Sequence, residues 1–410
     1  MNDDHGFPAE VQTVAQKLLA YCHKNDWAGY DPYDALNSRL LEALPVLNSR
    51  LPRLVLTQVL KRSPINVRDL LQIPRTQNPK AVALFLAALL RAPELVSCGS
   101  EKLVDSLTAR LLALKSPGNW CWGYSFPWQT RTIIVPRGAP NLVCTSFVTS
   151  ALLDLYEQRR DLRHLAMAVG GGDYILNELY WSDGKALAGF SYPLPSVRNQ
   201  IHNANLLAAA LFCRLFKHTG ETRFLEPALR VARYSAAKQH ADGSWYYGEA
   251  PSQQWIDNFH TGYNLCALRQ IDQYLDSDEF APPVLKGFAF YKNHFFREDG
   301  AVRYFHNRTY PIDIHCVAQS IITLLALGNV ETGNVALARS VFRWAMKHMW
   351  NDEGFFAYRV LRVGTIWTSY MRWSQAWMLL AMASLLSELN ATVHPTQSHS
   401  VPASVEVRAC

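Results

Sequence analysis

The sequence predicts an all-α fold, an (α/α)6 toroid of six helical hairpins with short β-turn insertions. Three observations predict it. First, a phrase in which an apolar or aromatic stretch runs into an acidic-Gly turn occurs four times, at Tyr174–Gly184, Tyr234–Trp245, Phe290–Gly300 and Trp344–Phe355, with a weaker copy at Gly118-Asn119-Trp120. The turn glycines Gly118, Gly184, Gly243, Gly300 and Gly354 therefore recur every 54–66 residues, the size of one supersecondary unit. Second, helical apolar patterns flank each copy and fall into two interleaved sets, one amphipathic and one apolar along its whole length. Third, no clean alternating strand appears beyond short pairs near Gly184–Ser191 and Ser244–Tyr247.

Along the chain the elements follow in order. Residues 8–25 read as an amphipathic outer helix. The segment 26–77 has its own loops, Trp27–Asp34 and Lys61–Arg68, and reads as short helices lying across one rim. Inner helices are predicted at about 78–92, 141–157, 200–217, 258–273, 312–328 and 369–390. Leu206–Phe212 and Ile321–Leu327 are examples of stretches apolar on every face, as burial on all sides requires. The remaining outer helices fall at about 99–115, 160–180, 222–240, 283–297 and 333–350, with charges on one side, as in Arg230–Tyr234. The last inner helix should pack beside the first outer helix and close the ring. Each repeat needs its neighbours to bury its faces, so residues 1–390 read as one domain. The Ser-, Pro- and His-containing stretch 391–410 reads as a disordered tail.

Composition narrows the function. The chain has 410 residues, of which 49% are hydrophobic, enough for a sizeable core. The net charge of +6 is spread along the chain with no block of five like charges, which argues against a nucleic-acid-binding arm and suits an anionic substrate. The eight cysteines form no C-x-x-C and sit in apolar context, as buried thiols in a reducing compartment do. The start Met1–Gly6 carries no apolar run and no uninterrupted span of 18 apolar residues follows, so neither a signal peptide nor a membrane span is expected and the location read is cytoplasmic.

The inner helices begin just after the glycine turns, so their N-terminal ends share one mouth of the toroid. Polar residues concentrate there. His202, His260 and His315 fall near the first turn of three inner helices, with Asn203, Asp257, Tyr263, Asp313, Tyr370 and Arg372 beside them. Converging helix N-termini favour an anion. Asp257, Asp313 and Asn203 are also good N-cap types, and a lone buried His usually just finds a partner; three together point to a shared cavity. The flat rings of Trp120, Trp122, Tyr124, Trp245 and Trp373 can floor a sugar site or fill wedges between helices. No H-E-x-x-H or comparable spacing occurs, so no metal and no other cofactor is expected.

Two chemistries fit these residues. Asp257 and Asp313 at neighbouring helix starts can form an acid/base pair for glycoside hydrolysis. Alternatively, a uronate whose carboxylate is neutralised can lose its C5 proton to a Tyr or His and regain one on the other face. In that reading His260 with Tyr263 or Tyr370 moves the proton, while Arg372, His202 and Asn203, with His315 nearby, hold the substrate. Return of the proton gives C5 epimerisation; loss of the 4-substituent gives a lyase. A non-catalytic saccharide-binding scaffold is the third possibility.

Resemblances sharpen the choice. Arg233–Trp245 is similar to the Q-W repeat of squalene-cyclase and prenyltransferase toroids, which implies shared architecture. Trp120-Cys121-Trp122-Gly123 resembles the W-C-x-G of lanthionine cyclases, but Cys316 is followed by Val317 rather than His, so that family's zinc site is not formed. Asn25–Asp34, Lys61–Asn66, Asn78-Pro79-Lys80, Trp120–Tyr124 and Asp257–Asn264 resemble VpsJ-type polysaccharide biosynthesis proteins. That resemblance covers most of the chain and implies a toroid working in bacterial exopolysaccharide assembly. Asp257–Leu268 is similar to a segment in the helical domain of glucuronyl C5-epimerases, which implies uronate chemistry. The expectation is therefore an enzyme of exopolysaccharide biosynthesis acting on an anionic, uronate-containing saccharide, most simply by C5 epimerisation.

Overall fold

The structure is a computed structural model that describes residues 6–43, 49–96, 98–130, 133–185 and 187–393. Its helices are α1 (Phe7–Lys24), α2 (Arg39–Ala43), α3 (Arg50–Arg62), α4 (Pro79–Arg91), α5 (Ser100–Ala113), α6 (Leu142–Arg159), α7 (Leu162–Tyr174), α8 (His202–Thr219), α9 (Thr222–Ala237), α10 (Asn258–Leu275), α11 (Ala281–Phe295), α12 (Ile314–Ala326), α13 (Asn334–Met349) and α14 (Ala376–Val393). The inner helices pack in the cyclic order α4, α6, α8, α10, α12, α14 and back to α4. Each carries an outer helix on its back: α5 on α4, α7 on α6, α9 on α8, α11 on α10, α13 on α12, and α1 on α14. The last inner helix thus meets the first outer helix, and the ring is closed as the sequence pattern predicts.

The inner helices can sit inside the ring because apolar side chains cover most of their circumference. Eleven residues of α4, Pro79 through Leu89, are buried in succession, Lys80 among them. Side chains cap most of the inner starts. Asn78, Asn141, Asp257 and Asp313 accept the backbone N–H of Lys80, Cys144, His260 and His315 at 3.0–3.1 Å, satisfying donors that a helix start leaves unpaired. The entry to α14 differs: a wide turn over Met371–Gln375 with i→i+5 bonding precedes it.

The repeated turn works as a clamp between hairpins. Gly243 has φ +94°, and a Cβ there would stand 2.4 Å from the Lys286 carbonyl oxygen on α11. Only glycine meets both demands. Gln239 spans the same junction, donating from Nε2 to the Gly243 and Pro283 carbonyls at 3.0 and 2.9 Å. Gly300 docks in the same way on Ser340 of α13, and Gly354 on Lys17 of α1. These three turns therefore seat on the following outer helix, the last of them on the first helix, whereas a Cβ at Gly118 or Gly184 would meet nothing within 4 Å. Gly243→Ala should lower stability by about 2–3 kcal/mol through backbone strain and the clash. A denaturant titration in which the variant matches the parent would remove the clamp reading.

Strands are short and local. The predicted pair near 184–191 is present as Tyr180–Ser182 against Ala188–Phe190. Ser244–Tyr247 is not a strand pair: the His240 N–H closes a turn onto the Ser244 carbonyl, and Gly248 forms a lone bridge to Ile201. Two-residue ladders also join 28–29 to 76–77, 128–129 to 134–135, 350–351 to 355–356, and 359–360 to both 312–313 and 365–366. They are too short to leave a periodicity. The last helix runs to Val393, three residues into the stretch read as tail, because Asn390 donates to Glu94 at 3.0 Å and ties the last turns down; residues 394–410 lie outside the described residues.

The segment 26–77 reaches the helix-start side of the ring. Tyr30 bridges Tyr370, and the Asp31 carboxylate takes the Arg372 guanidinium bidentately at 2.7 and 2.9 Å. The Asp34–Arg68 ion pair, 2.9 Å, is buried beneath it. Among the described residues no helix is long and apolar enough to cross a membrane.

Candidate active site

The starts of α4, α6, α10, α12 and α14 converge on one pit. His260, Tyr263, Phe147, Tyr247, Tyr33 and Lys61 are half-buried and keep accessible surface. Beneath them lie Lys80, His315, Trp373 and Trp377, all buried.

Two acid/base pairs occupy this pit. In the first, Asp257 caps α10 through Oδ1 and holds His260 Nδ1 with Oδ2 at 2.7 Å. The Trp255 indole N–H donates to the same Oδ2 at 2.8 Å. One carboxylate thus starts the helix and orients an imidazole three residues on. With Nδ1 held, Nε2 is the free nitrogen, and among the described residues it has no partner. In the second pair, Tyr263 Oη and His315 Nε2 are 2.6 Å apart. Burial holds the His315 pKa well below the usual imidazole range, with the charges of Lys80 and Arg372 adding to it, while burial pushes the Tyr263 phenol well up. A neutral imidazole beside a protonated phenol is the resulting state near neutral pH. The His260 and Tyr263 rings lie 6.2 Å apart, so both pairs can reach one bound sugar ring.

The other expected site residues divide. Trp373 belongs to the pit floor, 4.5 Å from the His315 ring, with its indole N–H on Asp313 Oδ1 at 2.8 Å. Tyr124 lies 4.9 Å from the Arg372 guanidinium. Arg372 is present but already engaged, its fork filled by Asp31. Asp313 is fully buried, capping α12 and pairing with Arg359 at 2.5 Å. Tyr370 is also sealed, its ring under the Arg68 guanidinium and against Tyr358. His202 gives its Nε2 to Glu249 at 2.8 Å, and Lys238 holds the same carboxylate. Asn203 is buried and hydrogen-bonds to none of the pit groups. Trp122 and Trp245 are wedges: their indole N–H groups satisfy the Leu111 and Ser235 carbonyls near the ends of α5 and α9. Trp120 packs on Gly170 and Trp122 in the same wedge.

Lys80 is the pit residue that site reasoning from sequence passes over. It is 3% exposed, and its Nζ stands 4.1, 5.1 and 5.9 Å from the ring centroids of Phe147, Trp377 and Tyr263. Burial first, then the Arg372 charge, hold its pKa well below the usual lysine range. A signal was present: Lys80 is the one charge in an otherwise apolar helix before Arg91. Among the described residues no group of three His, Cys, Asp or Glu is arranged to hold a metal ion.

The chain matches no protein-family model and no curated relative. Its fold is that of the α/α-toroid enzymes. A cellobiose 2-epimerase from Bacillus thermoamylovorans superimposes with TM-score 0.59 at 10% identity, over 78% of this chain and 90% of that one. A GH76 α-mannanase from Bacteroides thetaiotaomicron gives 0.58 at 13% identity, over 77% and 88%. A polysaccharide lyase gives 0.57 at 12% identity, over 94% and 98%. At these identities the likeness establishes the architecture.

Proposed function

We propose that this protein is a carbohydrate-active enzyme that epimerises a hexuronate residue at C5 during assembly of an acidic exopolysaccharide. The observation that carries the reading is the pair of acid/base units, Asp257–His260 and Tyr263–His315, in one pit. One of them removes the proton next to the carboxyl carbon and the other returns a proton to the opposite face. The toroid neighbours support the substrate class, since those named above include a sugar epimerase, a glycanase and a polysaccharide lyase. The place in exopolysaccharide assembly rests on the VpsJ-type resemblance. The hydrolase alternative is disfavoured by Asp313, whose carboxylate is buried and taken by Arg359 and Trp373.

Incubation with uronate-containing oligosaccharides in deuterium oxide tests the reading. The expected result is deuterium at C5 with chain length unchanged. New reducing ends would identify a hydrolase, and a new ultraviolet-absorbing double bond a lyase. Binding without any of these would leave a scaffold.

A further inference from the structure

We propose that Lys80 is the residue that receives the substrate's carboxylate, the role that the sequence pattern suggests for Arg372. The inference deepens the uronate reading and rests on it for the identity of the anion.

The argument is one of unfilled donors. An ammonium group has three N–H donors and no acceptor. Among the described residues, Nζ of Lys80 has no hydrogen-bond or ion-pair partner, although the side chain is almost wholly buried. Aromatic faces stabilise the cation but do not accept its hydrogen bonds as an oxygen does. A buried polar group left in that state is unusual and calls for an occupant. Among the described residues the other cations around it have hydrogen-bond partners: Lys61, at the mouth, donates to the Tyr33 hydroxyl at 2.6 Å. Arg372 has Asp31, and Arg359 has Asp313. Among the described residues, Lys80 is the pit-floor amine with no oxygen partner. The acceptor that fits it is a carboxylate, which brings two oxygens and the missing countercharge.

The placement also suits the reaction. Lys80 Nζ and the Tyr263–His315 pair are neighbours, since the ring of Tyr263 is one of the three that flank Nζ. A carboxylate seated on Nζ puts its α-carbon, C5 of a uronate, beside Tyr263 and across from His260. The ammonium then faces the oxygens on which charge develops as the C5 proton leaves. No covalent bond to Lys80 is involved.

One consequence is proton uptake on binding. The groups that face Lys80 are Cys144 on α6, Tyr263 on α10, His315 on α12, and Arg372 with Asp31 at the entry to α14. Burial and Arg372 favour the neutral amine in the empty pit. An anion favours the charged form. Acidic ligand should therefore enter with one proton, and its affinity should fall as pH rises.

The test is titration calorimetry at pH 8 with a glucuronate-containing tetrasaccharide and with its carboxyl-reduced, neutral counterpart. Matched titrations in two buffers of different ionisation enthalpy count the protons. The parent protein is expected to take up protons with the acidic ligand and none with the neutral one. Lys80→Met, similar in length and apolar, should weaken acidic-ligand binding by about 10- to 100-fold and leave the neutral ligand within twofold. Lys80→Gln serves as the second variant if the first does not fold, judged by its melting transition. Equal losses for both ligands, or undiminished acidic-ligand binding, overturn the proposal. So does a borohydride-trapped adduct at Lys80 with a reducing sugar, which would make the amine a nucleophile. Lys80-dependent binding without deuterium exchange keeps this inference and removes the epimerase. Deuterium exchange at C5 of the uronate that is indifferent to Lys80 does the reverse.

Discussion

His260→Ala is expected to lower turnover by about 10²–10⁴-fold, the range for a positioned acid/base group, with the melting transition little changed. The ring is half-buried, and its partner Asp257 keeps its other bonds to the His260 backbone N–H and the Trp255 indole. Asp257→Asn separates the two duties of that carboxylate. Asparagine caps a helix about as well as aspartate, so α10 should start normally. The charge behind Nδ1 is lost, however, and with it the fixed tautomer, so turnover should fall by about 10-fold or more. The double variant should be little worse than His260→Ala alone, because residues acting as a unit are not additive. The measurement is steady-state turnover on the uronate substrate, with solvent exchange at C5 as a second readout. Turnover within a few-fold of the parent in His260→Ala would take the first acid/base pair out of the mechanism.

The second large effect is on stability. Asp31→Ala should destabilise the fold by about 3–5 kcal/mol, because it strands the Arg372 guanidinium in a buried site. Both partners are buried, and the contact is bidentate. Asp31 also accepts the Tyr33 backbone N–H at 3.0 Å, so the loop that carries Tyr33 over the pit would loosen as well. Asp31→Ala combined with Arg372→Met removes the stranded charge and should recover most of the loss. Urea titrations of the three variants decide it. A loss under about 1 kcal/mol in the single variant would contradict the stated burial of the pair.

These two residues also show how far the sequence could be read. The ring was legible because its information is local and repeated. Turn glycines recur at one period, and the inner and outer helices differ in how much of their circumference is apolar. The pit was legible only in part. His202, His260 and His315 all lie in the first turn of an inner helix, which suggests a common direction. They occupy the first, third and second helical positions respectively, and successive positions are rotated by about 100°. His202 therefore meets Glu249, whereas His260 and His315 reach the pit. Arg372 was recognisable as a buried-site cation, but its counter-ion is 341 residues away in sequence, a distance that no motif spans. The aromatic wedges show the opposite problem. Trp122 and Trp245 share residue type and turn context with sugar platforms, and only the acceptor of each indole N–H tells the two apart.

The closed ring has a consequence for how the chain is made. The apolar side of α1, with Phe7, Val11, Val14 and Leu18, lies against α14 and the turn around Gly354. Those partners are synthesised long after α1, and at about 5–20 residues per second the first helix waits tens of seconds for them. Arg91 and Glu94 wait through 293 and 296 residues for Ser384 and Asn390. Until α14 emerges, the nascent ring is therefore an open horseshoe whose first helix keeps its apolar side uncovered. Its yield in the cell should depend on whatever shields that side until the seam is zipped.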